Sequence, residues 1–215
     1  MEERSGNAVA VGNFDGFHLG HRSIIRNTLK KSEENSLGSV IVTFQPNPKL
    51  FFNTDDRLIF SDDKKEEVLR SSGIKKIEYV EFSDIFKMNG QDFIDKYLLD
   101  KFYMKHLVVG DNFKLGSGRE WDINRIIEYG SGKGFEVSVV PSEEFMGTKI
   151  SSSVIRDFLR KGGLNTANKM LGMEYTVSGT VIKGNRIGTR MGFPTLNIIN
   201  DNCLLPNGVY QSKVK

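Results

Sequence analysis

From Ala8 to Arg160 the sequence alternates short apolar runs with segments of helical spacing, and this alternation restricts the possible folds more than any other feature. A run of four to eight apolar residues bounded by turn residues suits a buried strand. Ala8–Val11 is such a run and ends at Gly12-Asn13, and Ser39–Phe44 is stopped by Gln45–Pro48. Lys75–Phe82, Lys105–Gly110 and Phe135–Val140 supply three more. Between them, Leu19–Leu29 has Ile24, Ile25 and Leu29 at helical spacing, Gly90–Phe102 reads as an amphipathic helix, and a further helix spans Ser152–Arg160. Strands that alternate with helices pair in parallel, with the helices packed on the sheet faces. The expected class is therefore α/β with a mainly parallel sheet. Such sheets bind ligands beyond the carboxyl ends of their strands, and the chemical-looking segments follow Val11, Phe44 and Val109.

The pattern changes beyond Met173, where glycine, threonine and short β-prone runs dominate and no helix is expected. This predicts one domain over residues 1–172 and the start of an all-β unit over 173–215. A Gly pair and one short helix between Arg160 and Gly172 join them. A net charge of +3, with acidic and basic residues interspersed, marks no nucleic-acid surface. No apolar run is long enough to span a membrane. The polar start, MEERSGN, lacks the apolar centre of a signal peptide. The single cysteine, Cys203, argues against a disulfide-stapled scaffold. A cytoplasmic enzyme or binding domain is expected, with no nucleic-acid or membrane partner and no oligomeric state readable.

Two of the three histidines, His18 and His21, sit three residues apart in GNFDGFHLGH, just after the first strand. A strand–turn–helix junction offers unpaired backbone N–H groups and the positive end of a helix dipole, which suits phosphate. Gly12, Gly16 and Gly20 permit close approach of the backbone. With a helix beginning near Phe17, both imidazoles can face one phosphate cluster. No Gly-Lys-Ser/Thr follows, so the loop is not of the Walker type. No third ligand completes a zinc site.

These residues resemble the H-x-G-H signature of the nucleotidyltransferase superfamily, and the longer G-x-F-D-G-x-H-x-G-H resembles the bacterial bifunctional riboflavin kinase/FAD synthetases. The resemblance implies a doubly wound, Rossmann-like sheet. It also implies an ATP site that includes Gly12, Asn13, Phe14, Asp15, Gly16 and Gly20. VTFQPNPKLFF resembles the family's V-T-F-x-P-H-P segment, with Asn47 in place of the usual histidine. A flavin region that includes Phe44, Pro46, Asn47 and Phe51 is implied there. VVGDNFKLG is similar to a segment whose Asn112 is implied to contact the nucleotide, while Asp111 reads either as a turn cap or as a magnesium ligand. KISSSVIRDFL resembles I-S-S-T-x-x-R, with Ser153 for threonine and Val154 for a more usual polar residue. Physically it is a serine-capped helix start that carries a planar cation, Arg156.

GTVIKGNRIGTRMGFPTLNI resembles the riboflavin kinase G-F-P-T-A-N segment, with Leu196 for alanine and Thr189-Arg190 shifting the local Gly-Arg pattern. Thr195 and Asn197 match residues implied to hold magnesium-ATP. The family's barrel needs more residues than remain before Lys215, including a later glutamate. The kinase half is therefore expected to be inactive in this chain, whether the chain is a fragment or natively short.

Together the resemblance implies AMP transfer from ATP to FMN, giving FAD and pyrophosphate, with Mg2+. His18 and His21 would hold the α-phosphate and the leaving pyrophosphate, while Ser152, Ser153 and Arg156 would grip the β,γ end beside Ser151. A complete chain would also phosphorylate riboflavin. The alternatives are another small H-x-G-H nucleotidyltransferase, or a non-catalytic flavin- or nucleotide-binding regulator.

Overall fold

A computed structural model describes residues 6–52, 57–184, 188, 192–200, 202 and 204–214. Thr189, Arg190 and Cys203 lie outside the described residues. Five strands form one sheet: β1 (Asn7–Val11), β2 (Gly38–Gln45), β3 (Lys76–Glu81), β4 (Met104–Gly110) and β5 (Glu136–Val140). Their order is β3-β2-β1-β4-β5, and every pairing is parallel. The sheet is thus doubly wound, as expected, and the winding reverses between β1 and β4. Strands buried on both faces carry continuous apolar runs, and Ala8, Val9 and Ala10 of β1 are 0% exposed.

The helices come from several sources. α1 (Leu19–Glu34) starts where the helical spacing begins, because His18 stays extended and caps it. Its fully buried positions are Ile25, Thr28 and Ser32, with Ile24 and Leu29 packed at the edge of the core. The segment expected only to stop β2 goes on into α2 (Pro48–Phe52). Proline is well placed at a first helical position, where its missing N–H is not needed. α3 (Asp62–Arg70) is capped by Ser61.

α4 (Phe82–Ile85) and α5 (Gly90–Asp92) are short. The expected single helix from Gly90 to Phe102 is instead α5 followed by a wider π-type coil over Phe93–Lys101. There Phe102 N–H reaches back five residues to Tyr97 O. α6 (Ile123–Lys133) follows. A two-residue hairpin, β6 (Glu144–Phe145) with β7 (Thr148–Lys149), leads into α7 (Ser152–Arg160) and α8 (Leu164–Leu171). The second unit shows an antiparallel pair, β8 (Thr180–Ile182) with β9 (Asn197–Ile199).

Two apolar cores flank the sheet. One gathers Phe93, Leu98, Met104, Trp121 and Ile126 on one face. The other gathers Phe14, Ile25, Ile59, Phe60, Ile155 and Met170 on the other, and Leu204 of the second unit joins it. Asn202 ties the segment beyond residue 172 down by donating to Ile59 O, and donates to Thr176 O within that segment. By contrast Val181, Ile182, Ile198 and Ile199 of the β8–β9 pair are exposed.

Candidate active site

A cleft of about 370 Å³ opens where the sheet order reverses. All three strand-end segments expected to matter reach it: Val11–Asp15, His18, Gly20 and His21 after β1, Asn47 and Lys49 after β2, and Gly110, Asn112 and Phe113 at the end of β4; the loop after β5, Val140–Glu143, joins them and was not expected. Ile150–Ser153 and Arg156, at the start of α7, close the remaining side.

The loop after β1 is held in an unusual path. Phe14 and Phe17 have φ of +51° and +41°, a region that costs a non-glycine residue about 1–3 kcal/mol. Gly16 has φ +77°, and a Cβ there would meet Ile59 Cδ1 at 2.8 Å. Both phenylalanines are buried, so core packing offsets the strain. The loop brings the two imidazoles face to face, with ring centroids 3.7 Å apart and planes at 18°. His18 Nδ1 accepts the His21 backbone N–H at 3.3 Å and so caps α1. That leaves the ring proton of neutral His18 on Nε2.

Burial lowers the His18 pKa from 6.5 to about 4. His21 is held well below the usual histidine range, first by burial, then by His18 and Lys65. Both imidazoles are neutral at pH 7 and can donate one N–H each. His21 Nδ1 is buried with no hydrogen-bond partner.

Beneath the pair, Asp15 is 5% exposed and accepts the Ile59 N–H at 2.9 Å. Burial raises its pKa, opposed by Arg156, by the Ile59 and Phe60 N–H groups, and by Lys65. Its second oxygen lies 3.4 Å from Arg156 Nη2, within a buried ion pair. Arg156, expected to bring a planar cation to the phosphates, is 3% exposed and lies in the cleft floor. Its Nε and Nη1 are buried without a hydrogen-bond partner.

Ser151 caps α7 by accepting the Val154 N–H. Ser152 Oγ donates to Asp15 O at 2.9 Å, stapling α7 to the histidine loop, and Ser153 is exposed at the rim. The starts of α1 and α7, with Gly20 and Ser152–Ser153, thus both open on one cavity.

Other expected residues fall differently. Asn47 is buried and takes the Lys49 N–H on its Oδ1, the work of a helix cap. It still lines the cleft, but Phe44, Pro46 and Phe51 do not. Phe44 packs on Phe82 and Phe93, and Phe51 on Phe52, Phe82 and Phe86. Asn112 is exposed and lines the cleft. Asp111 accepts from Ser142 N and Oγ and pairs with Lys149 Nζ at 3.1 Å. Those bonds hold its carboxyl below the usual range, Ser142 first. Its oxygens serve a rim clasp rather than an open metal position. Among the described residues, no group of three or more His, Cys, Asp or Glu could hold a metal.

Thr195 and Asn197 lie on or beside β9, exposed and outside the cleft lining. Sequence reasoning missed Lys49, Arg119 and Lys149 in the lining, and Lys65 behind it. Lys65 lies at i,i+3 and i,i+4 from Val68 and Leu69, a lysine on an apolar face.

A doubly wound sheet with two helix starts, neutral histidines and a buried arginine around a switch-point cleft defines a nucleotidyltransferase-type domain. Residues 1–154 match the FAD synthetase family model, and residues 171–215 match that for riboflavin kinase. The chain belongs to the FAD synthetase family. It is 35% identical to a bifunctional riboflavin kinase/FMN adenylyltransferase of Buchnera aphidicola, over 98% of this chain and 69% of that protein. Proteins of the same name from Listeria monocytogenes and Escherichia coli K12 are 33% and 31% identical, over 67% and 69% of their lengths.

A crystal structure described as that of a macrolide-efflux protein from Streptococcus pneumoniae superposes with TM-score 0.79 at 28% identity. The match covers 91% of this chain and 64% of that one. Among the described residues no helix is long and apolar enough to cross a membrane.

Proposed function

We propose that the cleft transfers AMP from ATP to FMN. An FMN phosphate oxygen attacks the ATP α-phosphorus in line, the bond to the β-phosphate breaks, and FAD and pyrophosphate leave. The substrate phosphate is itself the nucleophile, so the protein contributes positioning and charge stabilisation. His18 and His21 donate their N–H groups toward the α-phosphate and the departing pyrophosphate. The start of α7 and the open N–H groups of Arg156 take the β,γ end. Magnesium carried by ATP would neutralise charge on the phosphates, and among the described residues no cluster of His, Cys, Asp or Glu would add a protein cage to it. Gly12–Gly16, Gly20 and Asn112 frame the nucleotide, and Asn47 marks the side on which FMN enters.

One observation carries this reading. His21 Nδ1 and Arg156 Nε and Nη1 are buried, polar and unpartnered around one cavity. A buried polar atom without a partner costs about 1–3 kcal/mol, and phosphate oxygens would recover it. Asp15, through the ion pair of its Oδ2 with Arg156 Nη2, holds the arginine in place for them. The names of the relatives support FMN and ATP as the substrate pair. The same reading divides the chain at residues 172/173, sets the enzyme in the cytoplasm, and gives Thr195 and Asn197 to the magnesium-ATP of a complete kinase barrel.

The test is incubation of the chain with ATP, magnesium and FMN, with FAD and pyrophosphate followed by chromatography. Equimolar FAD and pyrophosphate are expected. Tight binding of both substrates without either product would make the domain a binding regulator. Turnover with another phosphorylated acceptor but not FMN would make it a different nucleotidyltransferase.

A further inference from the structure

Behind the histidine pair lies a cation that the transfer step leaves unused. Lys65, in the first half of α3, is 5% exposed and on the same helix face as Val68 and Leu69. Its Nζ donates to Thr43 Oγ1 at 2.8 Å, and Thr43 Oγ1 donates to Asn13 O at 3.4 Å. The ammonium also lies 5.8 Å from the centre of the Tyr79 ring. A two-bond chain therefore runs from α3, through β2, to the loop that carries the histidines.

The charges facing Lys65 come from four directions. Asp62 lies on its own helix, Asp15 on the loop after β1, His21 on α1 and Tyr79 on β3. Arg156 of α7 shares Asp15 with it. Two buried cations thus divide one buried carboxylate; Asp62, which also offsets Lys65, is exposed on α3, so among these buried groups positive charge is in surplus beneath the cavity.

Such a lysine is costly to the fold. Burial lowers its pKa from 10.5 to about 8, against the pull of Asp62 and Asp15. The folded chain therefore binds fewer protons than the unfolded chain between pH 8 and 10.5, and stability rises with pH across that window. At neutral pH the charged form opposes folding. An apolar side chain of similar length would fill the same space without that opposition. A destabilising group kept beside a cleft points to work in the cleft.

We propose that Lys65 is a positioning residue of the phosphate cradle: through Thr43 it fixes the Asn13–Gly16 loop, and its ammonium supplies the surplus positive charge beneath His21 against which the ATP phosphates are held. Lys65 touches no reacting atom and moves no proton during transfer. Its charge adds to the burial that holds His21 neutral and thus a donor. This assignment rests on the adenylyl-transfer reading.

The full chain is compared with Lys65→Met, which removes charge and hydrogen bond, and Lys65→Gln, which keeps a donor for Thr43. Three quantities are read: the melting temperature at pH 7, kcat/KM for ATP in FAD formation from pH 6 to 10, and ATP binding by calorimetry over the same range. Lys65→Met is expected to raise the melting temperature while lowering kcat/KM roughly tenfold, the scale of one partly screened charge. The native profile is expected to fall as pH rises through about 8, in rate and in ATP binding, and both variants are expected to lose that alkaline limb.

A lowered melting temperature in Lys65→Met together with an unchanged alkaline limb would make Lys65 structural and overturn the assignment. Native rates in both variants would do the same. If the native chain binds ATP but forms no FAD, the transfer reading fails. The calorimetric pH dependence then still decides Lys65.

Discussion

The cleft has a counterpart elsewhere in the molecule, a buried histidine of the sheet held between β4 and β5. There His106 of β4 is 3% exposed, with Nε2 2.7 Å from Ser138 Oγ and Nδ1 3.2 Å from Glu136. Burial lowers its pKa too, although Glu136 pulls the other way. A depressed pKa is therefore common to all three histidines and does not separate site from scaffold. Satisfaction does. Both ring nitrogens of His106 have partners in the neighbouring strand, whereas His21 Nδ1 and two Arg156 nitrogens have none. A buried polar group left open is expensive in a folded chain and informative for that reason. One cluster holds β4 to β5. The other is shaped to receive something.

The sharpest way to break this contrast is to break the ion pair. Asp15→Asn keeps an acceptor for Ile59 N–H but leaves Arg156 and Lys65 without their shared carboxylate. Removing one partner of a buried pair costs about 3–5 kcal/mol. A loss of that size is expected in urea unfolding, partly restored by ATP, whose phosphates replace the lost charge. A near-native midpoint would show the pair to be idle.

Acid should act on the cleft next. The folded pKa of His18, about 4, lies below its unfolded value of 6.5, so the unfolded chain binds more protons between those values. Stability then falls as pH drops from 6.5 to 4, by up to about 3 kcal/mol at 1.36 kcal/mol per pH unit. Protonation at Nδ1 also removes the α1 cap. His18→Asn, which keeps a capping oxygen, is expected to flatten this dependence of the unfolding free energy. An unchanged slope would show that His18 does not carry it.

The smallest effect belongs to the scaffold cluster. His106→Asn is expected to cost about 1–2 kcal/mol of stability, the scale of weakened hydrogen bonds in a buried strand, and to leave FAD formation within about twofold of native. A larger drop in rate would put His106 into the mechanism and erase the distinction.

Much of this was legible before the structure. The strands announced themselves as short apolar runs between turn residues, most fully in β1, β2 and β4, whose burial on both faces demands apolar residues throughout, and all five fall within a residue or two of expectation. The histidine loop was legible because strand, glycine turn and helix start adjoin in sequence. α3 was not, since Lys65 occupies a core position and conceals the apolar period of a very polar helix. α6 was hidden by Gly130, whose missing Cβ makes room for the Phe135 ring. Asn47 read as a flavin contact, but Pro48 after it is a helix start and not only a strand stop. Arg156 was found by motif, yet its burial against Asp15 depends on residues far apart in sequence, and no local pattern reports that.

The measurement that tests the account most directly is one time course of FAD and pyrophosphate from ATP, magnesium and FMN, with the native chain beside His21→Ala. The account predicts equimolar products from the native chain and a rate lower by roughly 10²–10³ in the variant, the loss typical of one transition-state donor, with the variant's circular dichroism unchanged. A native chain that makes no FAD, or a folded His21→Ala that makes it at the native rate, would contradict it.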